Sequence, residues 1–214
     1  HITVEGISSI EPIDIRFARK FGFRIKLLAI SRNHGDSVEA RVHPTMVPES
    51  HMLATINGPF NGIEFQGDTV GDVLLYGQGA GMMPTGSAVA ADVVDIGRNI
   101  ASNSINRVPA LSYRPEYMGE PTITPMSRLM CPYYFRVTAL DRPGVLSIIT
   151  GILGKYAISI QSVMQDGRDA DEPVFIVFRT HMAQEDSVVK ALAEIDALPV
   201  CSAPTVKIRI INPE

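Results

Sequence analysis

The sequence predicts an α+β protein built in two parts, and three observations predict it. Helical and strand-like hydrophobic periods alternate through residues 1–101. A proline-dense stretch at 102–132 interrupts both periods. Beyond it the elements run β-α-β-β-α-β over residues 133–213.

In the first part, Ile10, Ile13, Phe17 and Phe21 recur at helical spacing, with Asp14 in the first turn and Gly22 placed to end the helix. Arg24–Ser31 then reads as a strand, and Asn33-His34-Gly35-Asp36 as a turn. Val38, Ala40 and Val42 alternate with Glu39, Arg41 and His43, the pattern of a half-buried strand that keeps His43 on its outward side. A short helix at His51–Ala54 and strands at Gly62–Gln66 and Val73–Tyr76 follow. After Gly77-Gln78-Gly79-Ala80-Gly81, Pro84 opens a helix that carries Val89, Val93, Ile96 and Ile100 on one face.

Pro109, Pro115, Pro121, Pro125 and Pro132 forbid a continuous helix or central strand, so the domain boundary is placed at 102–132, as a linker laid against a surface. In the second part, strands are expected at Tyr134–Leu140, Ile158–Gln165, Val174–Thr180 and Thr205–Ile211. Helices are expected at Val145–Tyr156 and Glu185–Ala197, and a polar turn at Asp166–Asp169. This order is that of a ferredoxin-like βαββαβ domain.

Composition excludes several functions. The 214 residues are 45% hydrophobic and 20% charged, which suits packed cores. A net charge of −4 leaves no basic stripe for phosphates, so nucleic acid is not an expected partner. No apolar run approaches a membrane span, and no membrane partner is expected. Cys131 and Cys201 read as two free thiols in a reducing cytoplasm, and no cluster of ligands suggests a metal. The chain opens on His1-Ile2-Thr3-Val4, which reads as a piece of something longer, with His1 as a tag remnant.

Two motifs carry possible chemistry. Gly77-x-Gly79-x-Gly81 follows a strand and precedes a helix, but it is not the G-x-G-x-x-G of a dinucleotide fold, because its third glycine comes one place early. It is either a tight strand-to-helix turn or a place where a ligand approaches the backbone at a helix N-terminus. Asp141-Arg142-Pro143-Gly144-Val145 stands at a second strand-to-helix junction. There Asp141 either caps the helix or, with the helix amides, holds an amino acid by its two charged groups. His43 reads as a hydrogen-bonded structural group and His51 as part of its short helix. No nucleophile elbow or Walker loop is present. Glu5, Glu11 and Asp14 form no evident carboxylate pair aimed at a substrate.

Glu5-Gly6-Ile7, Asp14-Ile15, Ile25–Ile30, Val42–Pro48, Phe60–Ile63, Gly67-Asp68, Tyr76–Gly81 and Pro84–Asp92 together resemble, in order and spacing, the later catalytic domain of bacterial homoserine dehydrogenases. Tyr133–Pro213, with its Asp141–Leu146 turn, resembles an ACT domain. The resemblance implies an oxidoreductase that interconverts aspartate 4-semialdehyde and homoserine with NADP or NAD, in threonine and methionine biosynthesis. It places the Rossmann domain, the catalytic lysine and the substrate-holding acidic residues upstream of His1. Lys20 and Lys26 are therefore not that lysine, no catalytic residue is expected here, and the chain alone is expected to be inactive.

By the same resemblance, Gly81 contacts the nicotinamide end of the cofactor, with Gly79, Ala80 and Thr85 beside it, and the following helix packs on the Rossmann domain. Met82 and Met83 depart from the small residues usual after this glycine. Asp141, Gly144, Val145 and Leu146 would form one wall of an effector site, and Ile158, Ser159 and Ile160 the other, across an ACT dimer. Ser159 stands where several amino-acid-binding relatives have Asn. The resemblance further implies a cytoplasmic homo-oligomer, a homodimer in its simplest form, under feedback by threonine. The competing reading is a stand-alone amino-acid-binding regulatory or dimerisation module.

Overall fold

The computed structural model describes residues 2–104, 112–166 and 173–211. His1, Pro109 and the part of the expected polar turn after Asp166 lie outside the described residues. The elements in chain order are β1 (Thr3–Val4), α1 (Pro12–Lys20), β2 (Phe23–Asn33), β3 (Val38–Pro48), β4 (Phe60–Gly67), β5 (Gly71–Gln78), α2 (Met82–Ala101), β6 (Met130–Cys131), β7 (Tyr133–Leu140), α3 (Val145–Lys155), β8 (Ile160–Asp166), β9 (Pro173–Thr180), β10 (Ala183–Gln184), α4 (Glu185–Asp196) and β11 (Cys201–Ile210). The chain is α+β, with the predicted βαββαβ order in its second part.

Two compact units form, His1–Ser50 with Pro121–Glu214, and His51–Glu120. The units are not divided at 101 and 132, because the first unit is joined by a shared sheet. Its order is β1-β3-β11-β7-β9-β8, with β2 paired to β3 along its length. β3 runs parallel to β11 at Thr45↔Arg209 and Met46↔Ile210, and parallel to β1 at Arg41↔Thr3. Part of the proline-dense stretch also returns to this sheet, where Val38 N–H donates to Thr122 O at 2.8 Å.

Period-2 alternation sorts this sheet's side chains onto two cores. Tyr133, Phe135, Val137 and Ala139 of β7 face α3 and α4, in a core that includes Ile149, Leu153, Val188 and Ile195. Tyr134 faces the other way, with Val177, Ile208 and Ile210, and is covered by Phe17 and Ala18 of α1. The first segment therefore supplies a helix that seals the second face of the ferredoxin-like sheet. Burying a side chain such as Phe17 completely contributes roughly 1.5–3 kcal/mol.

Buried charges fasten this arrangement. Arg136 on β7 donates to both oxygens of Asp14 on α1, at 2.7 and 3.0 Å, and to Glu11 at 2.8 Å. Tyr134 Oη adds a 2.9 Å bond to Asp14, which is wholly buried. On the opposite face Arg209 donates to Glu185, the first residue of α4, and to Glu5, just past β1. Tyr133 Oη and Lys207 also bond Glu185. Asp14, Glu11 and Glu5 thus have ion-pairing partners far away in sequence.

β3 departs from its expected pattern. Arg41, His43 and Thr45 are buried rather than outward, because strands pair on both edges of β3 and both faces are covered. His43 receives a hydrogen bond from Arg41 Nε at its Nε2, and its Nδ1 lies 3.0 Å from the carbonyl of Pro44. It is the hydrogen-bonded structural group expected, in a different place.

The second unit is thinner. β4 and β5 form a hairpin on their own, closed by Asp68, Thr69 and Val70. Phe60 stacks on Tyr76 at 4.9 Å, and Ile63, Phe65 and Leu75 remain more than half exposed. His51 accepts the N–H of Leu53 and so caps the short 3-10 turn Met52–Thr55. No residue of α2 is buried, and the Val89, Val93, Ile96 and Ile100 stripe faces outward.

Burial lowers the pKa of His43 to about 4, so the folded chain keeps it neutral. Between pH 6.5 and about 4 the unfolded chain takes up a proton that the folded chain refuses. Stability should therefore fall with pH across that window, by a His43 contribution on the order of 3 kcal/mol. Burial would raise Glu185, but Arg209 and Lys207 outweigh it and hold it at about 2. Its contribution is thus complete above its unfolded pKa and is lost at lower pH than that of His43. Urea titrations at pH 7 and pH 5 should show a shallower pH dependence in His43→Gln than in the parent; equal slopes would contradict the assignment.

Candidate functional site

The glycine turn lies in the second unit, at the end of β5 and the start of α2. Gly81 is the N-cap of α2, with φ +123° and ψ 151°. That backbone region is open essentially to glycine alone. A Cβ there would also lie 3.3 Å from Pro84 Cδ. The carbonyl of Gly81 accepts the N–H of Thr85 at 3.0 Å, which closes the first turn. The earlier amides of the helix have no acceptor within it, as at any helix start. Gly79 is fixed differently, since a Cβ there would fall 2.1 Å from Asn61 Nδ2. Gly79, Ala80, Gly81 and Thr85 thus form one continuous turn whose backbone is exposed. A nicotinamide ring could approach this turn without meeting a side chain from Gly79 or Gly81, so the residues present fit that end of a dinucleotide. Met82 and Met83 stand outward beside it, 88% and 78% exposed.

The second candidate lies in the first unit, between β7 and α3. Arg142 N–H donates to Leu140 O, and Val145 N–H to Arg142 O at 3.2 Å, so the chain makes a tight turn before the helix. Gly144, in the left-handed region at φ +90°, is the N-cap of α3. Asp141 therefore does not cap this helix, contrary to the expected alternative; the turn carries its carboxylate too early. It accepts instead from Gln165 Nε2 of β8, at 3.0 Å. Val145's amide is used in the turn, and those of Leu146 and Ser147 lie in the first helical turn, where helix geometry provides no acceptor.

The remaining expected residues separate by burial. Val145 and Ile158 are core side chains, 4% and 3% exposed. Leu146 and Ser159 reach solvent, and Ile160 packs partly against the core. Ser159 uses its carbonyl to accept the N–H of His181 at 2.8 Å. The bond between Asp141 and Gln165 brings the loop beside β8, the edge strand of the sheet. The opposite end of the ferredoxin-like order, β11, is already paired with β3.

Arg136 and Arg209, which tie β7 to α1 and β11 to α4 and the segment after β1, are the residues missed from sequence; their signal is an arginine within a largely apolar strand. Cys131 and Cys201 are both free thiols. Among the described residues no group of His, Cys, Asp and Glu could hold a metal ion, and no helix is long and apolar enough to cross a membrane.

Comparison with known proteins finds a match for each part of the chain. Residues 1–94 match the family model for homoserine dehydrogenase, and residues 133–200 the model for the ACT domain. The chain belongs to the homoserine dehydrogenase family. A homoserine dehydrogenase of Neisseria gonorrhoeae is 41% identical over 97% of this chain, and one of Pseudomonas aeruginosa 40% identical over 96%. The chain covers 48% of each of these relatives, about half of their length. The crystal structure of a homoserine dehydrogenase from Thiobacillus denitrificans superposes with a TM-score of 0.87 at 40% identity, over 98% of this chain and 48% of that one. Homoserine dehydrogenase relatives thus extend over both compact units, and the ACT segment shares its sheet with the first strands of the homoserine dehydrogenase segment.

Proposed function

We propose that these 214 residues are the later half of a cytoplasmic homoserine dehydrogenase that interconverts L-aspartate 4-semialdehyde and L-homoserine with NADP or NAD. The observation that carries this reading is Gly81, whose φ of +123° at the mouth of a 20-residue helix leaves backbone where a side chain would otherwise stand. A nicotinamide dinucleotide supplies the hydride acceptor or donor when bound. This chain's part is to present the Gly79–Gly81 backbone to the nicotinamide end and to orient it from the start of α2. The residues here offer no acid, base or lysine at that turn, so the 214 residues alone are proposed to be inactive.

In the complete natural chain, Gly81→Ala places a Cβ in a glycine-only conformation at a local cost of roughly 1–3 kcal/mol. It should lower kcat/KM for homoserine oxidation by about tenfold or more, while the circular dichroism spectrum stays that of the parent. Unchanged kinetics would remove the turn from the cofactor site.

The second half of the proposal is regulatory. The open edge of the ACT sheet is β8, and the Asp141 loop leans against it, so pairing of two copies along β8 would set one copy's loop beside the other's strand. The effector is proposed to be threonine. Its carboxylate meets the amides of Leu146 and Ser147, where the helix start favours an anion, and its ammonium meets Asp141. Asp141→Asn removes the charge, and because Asp141 is not the helix cap, the fold should be untouched. Calorimetry should show threonine binding weakened about tenfold with an unchanged melting temperature in the absence of ligand. Equal affinity in parent and variant would reduce Asp141 to a loop-fixing role, and absence of binding to the parent would make the domain an assembly element.

A further inference from the structure

A cavity of about 300 Å³ opens in the first unit, where β3, the end of β11 and the returning segment before β6 meet. It is separate from both candidate sites above, and its lining is strongly unequal in charge. Arg32, Arg41, Arg128 and Arg209 line it, with His34 and His43, against one lining carboxylate, Glu39. Glu39 pairs with Arg41 and lies 3.6 Å from His34. Arg209 is held from behind by Glu5 and Glu185. Arg128 has no carboxylate within ion-pair distance among the described residues, and its side chain is exposed at the mouth.

The rest of the lining is apolar or mildly polar. Ile30, Met130, Met182 and Ile211 contribute hydrocarbon, and Thr45 and Thr124 hydroxyl groups. A cavity of this size sits at the small end of ligand pockets, which pair an apolar wall with a few convergent polar groups. Guanidinium groups are the side chains best shaped to take a carboxylate in two parallel bonds.

We infer that this cavity binds a small aliphatic carboxylate, its charged end on Arg41 and Arg128 and its carbon body against Ile30, Met130 and Met182. The position matters for the first unit. Arg41 and Thr45 lie on β3 and Arg209 on β11, so the cavity borders both strands near their parallel junction. Arg41 is 6% exposed, and burial together with the charges of Arg32 and Arg209 draws its pKa down to about 10. An added negative charge relieves that environment.

Succinate is the probe, titrated by calorimetry into the full chain at constant ionic strength, with inorganic phosphate and chloride titrated in parallel. Succinate should bind at one site per chain and raise the melting temperature as its concentration rises. Phosphate should bind at least about tenfold more weakly, because it has no carbon body to bury. Arg128→Ala, at an exposed position that does not endanger folding, should weaken succinate about tenfold. Arg114→Ala, an exposed arginine of the other unit, should change nothing. Arg41→Gln should abolish binding if it folds. Equal affinity for phosphate and succinate would overturn the carboxylate assignment. No succinate binding up to about 10 mM, or binding indifferent to Arg128→Ala, would overturn the site itself.

Discussion

Arg209 stands where three parts of the chain meet, and the first unit depends on how its charge is satisfied. Arg209 is 3% exposed, and its guanidinium donates to Glu5 from the N-terminal segment and to Glu185 from α4. A buried guanidinium without carboxylates is strongly destabilising, so the segments that carry them must be in place together. The same position on β11 is the register point at which Arg209 lies beside Thr45 of β3. Backbone pairing and charge pairing thus fix one another. On the other face Arg136 imposes the same requirement on α1 through Asp14 and Glu11. The ferredoxin-like sheet is consequently not a free appendage. Its strands and β3 belong to one hydrogen-bonded sheet, without a linker between.

Local elements were legible in the sequence because their causes are local. The 3.6-residue period that includes Ile13 and Phe17, the alternation in β7, and glycines at the helix ends act over a few residues, and the elements they predict are present, with Ile10 just ahead of its helix. The errors share a different origin. The alternation of β3 places His43 outward, but a second strand on each edge and cover on both faces bury it. Asp141 has a good capping side chain, yet the turn at Leu140–Gly144 shifts the helix start past it. Arg136 and Arg209 each announced a buried charge, but nothing adjacent in sequence names a carboxylate as far away as Asp14 or Glu5. Partners across the fold are set by topology, which no pattern of neighbouring residues encodes.

The second unit shows the opposite balance. Its two-stranded hairpin and its helix stand with Phe65, Leu75, Val93 and Ile100 exposed, and a lone hairpin is marginal in water. Three of its glycines, by contrast, are closely specified: a Cβ at Gly62 would displace the Ile56 side chain, one at Gly79 would displace that of Asn61, and Gly81 has a backbone that only glycine takes readily. The unit is well determined at its turns and under-buried at its faces.

The central claim, that β3 and the ferredoxin-like strands are one cooperative body joined at Arg209, is tested most directly by native-state hydrogen exchange. The amides that join β3 to the end of β11, such as that of Ile211, which donates to Met46 O, should open with the same free energy and the same denaturant dependence as the central amides of β7 and β9. If β2 and β3 exchange through a separate, less costly opening while β7 and β9 stay protected, the two segments fold independently and the account is wrong.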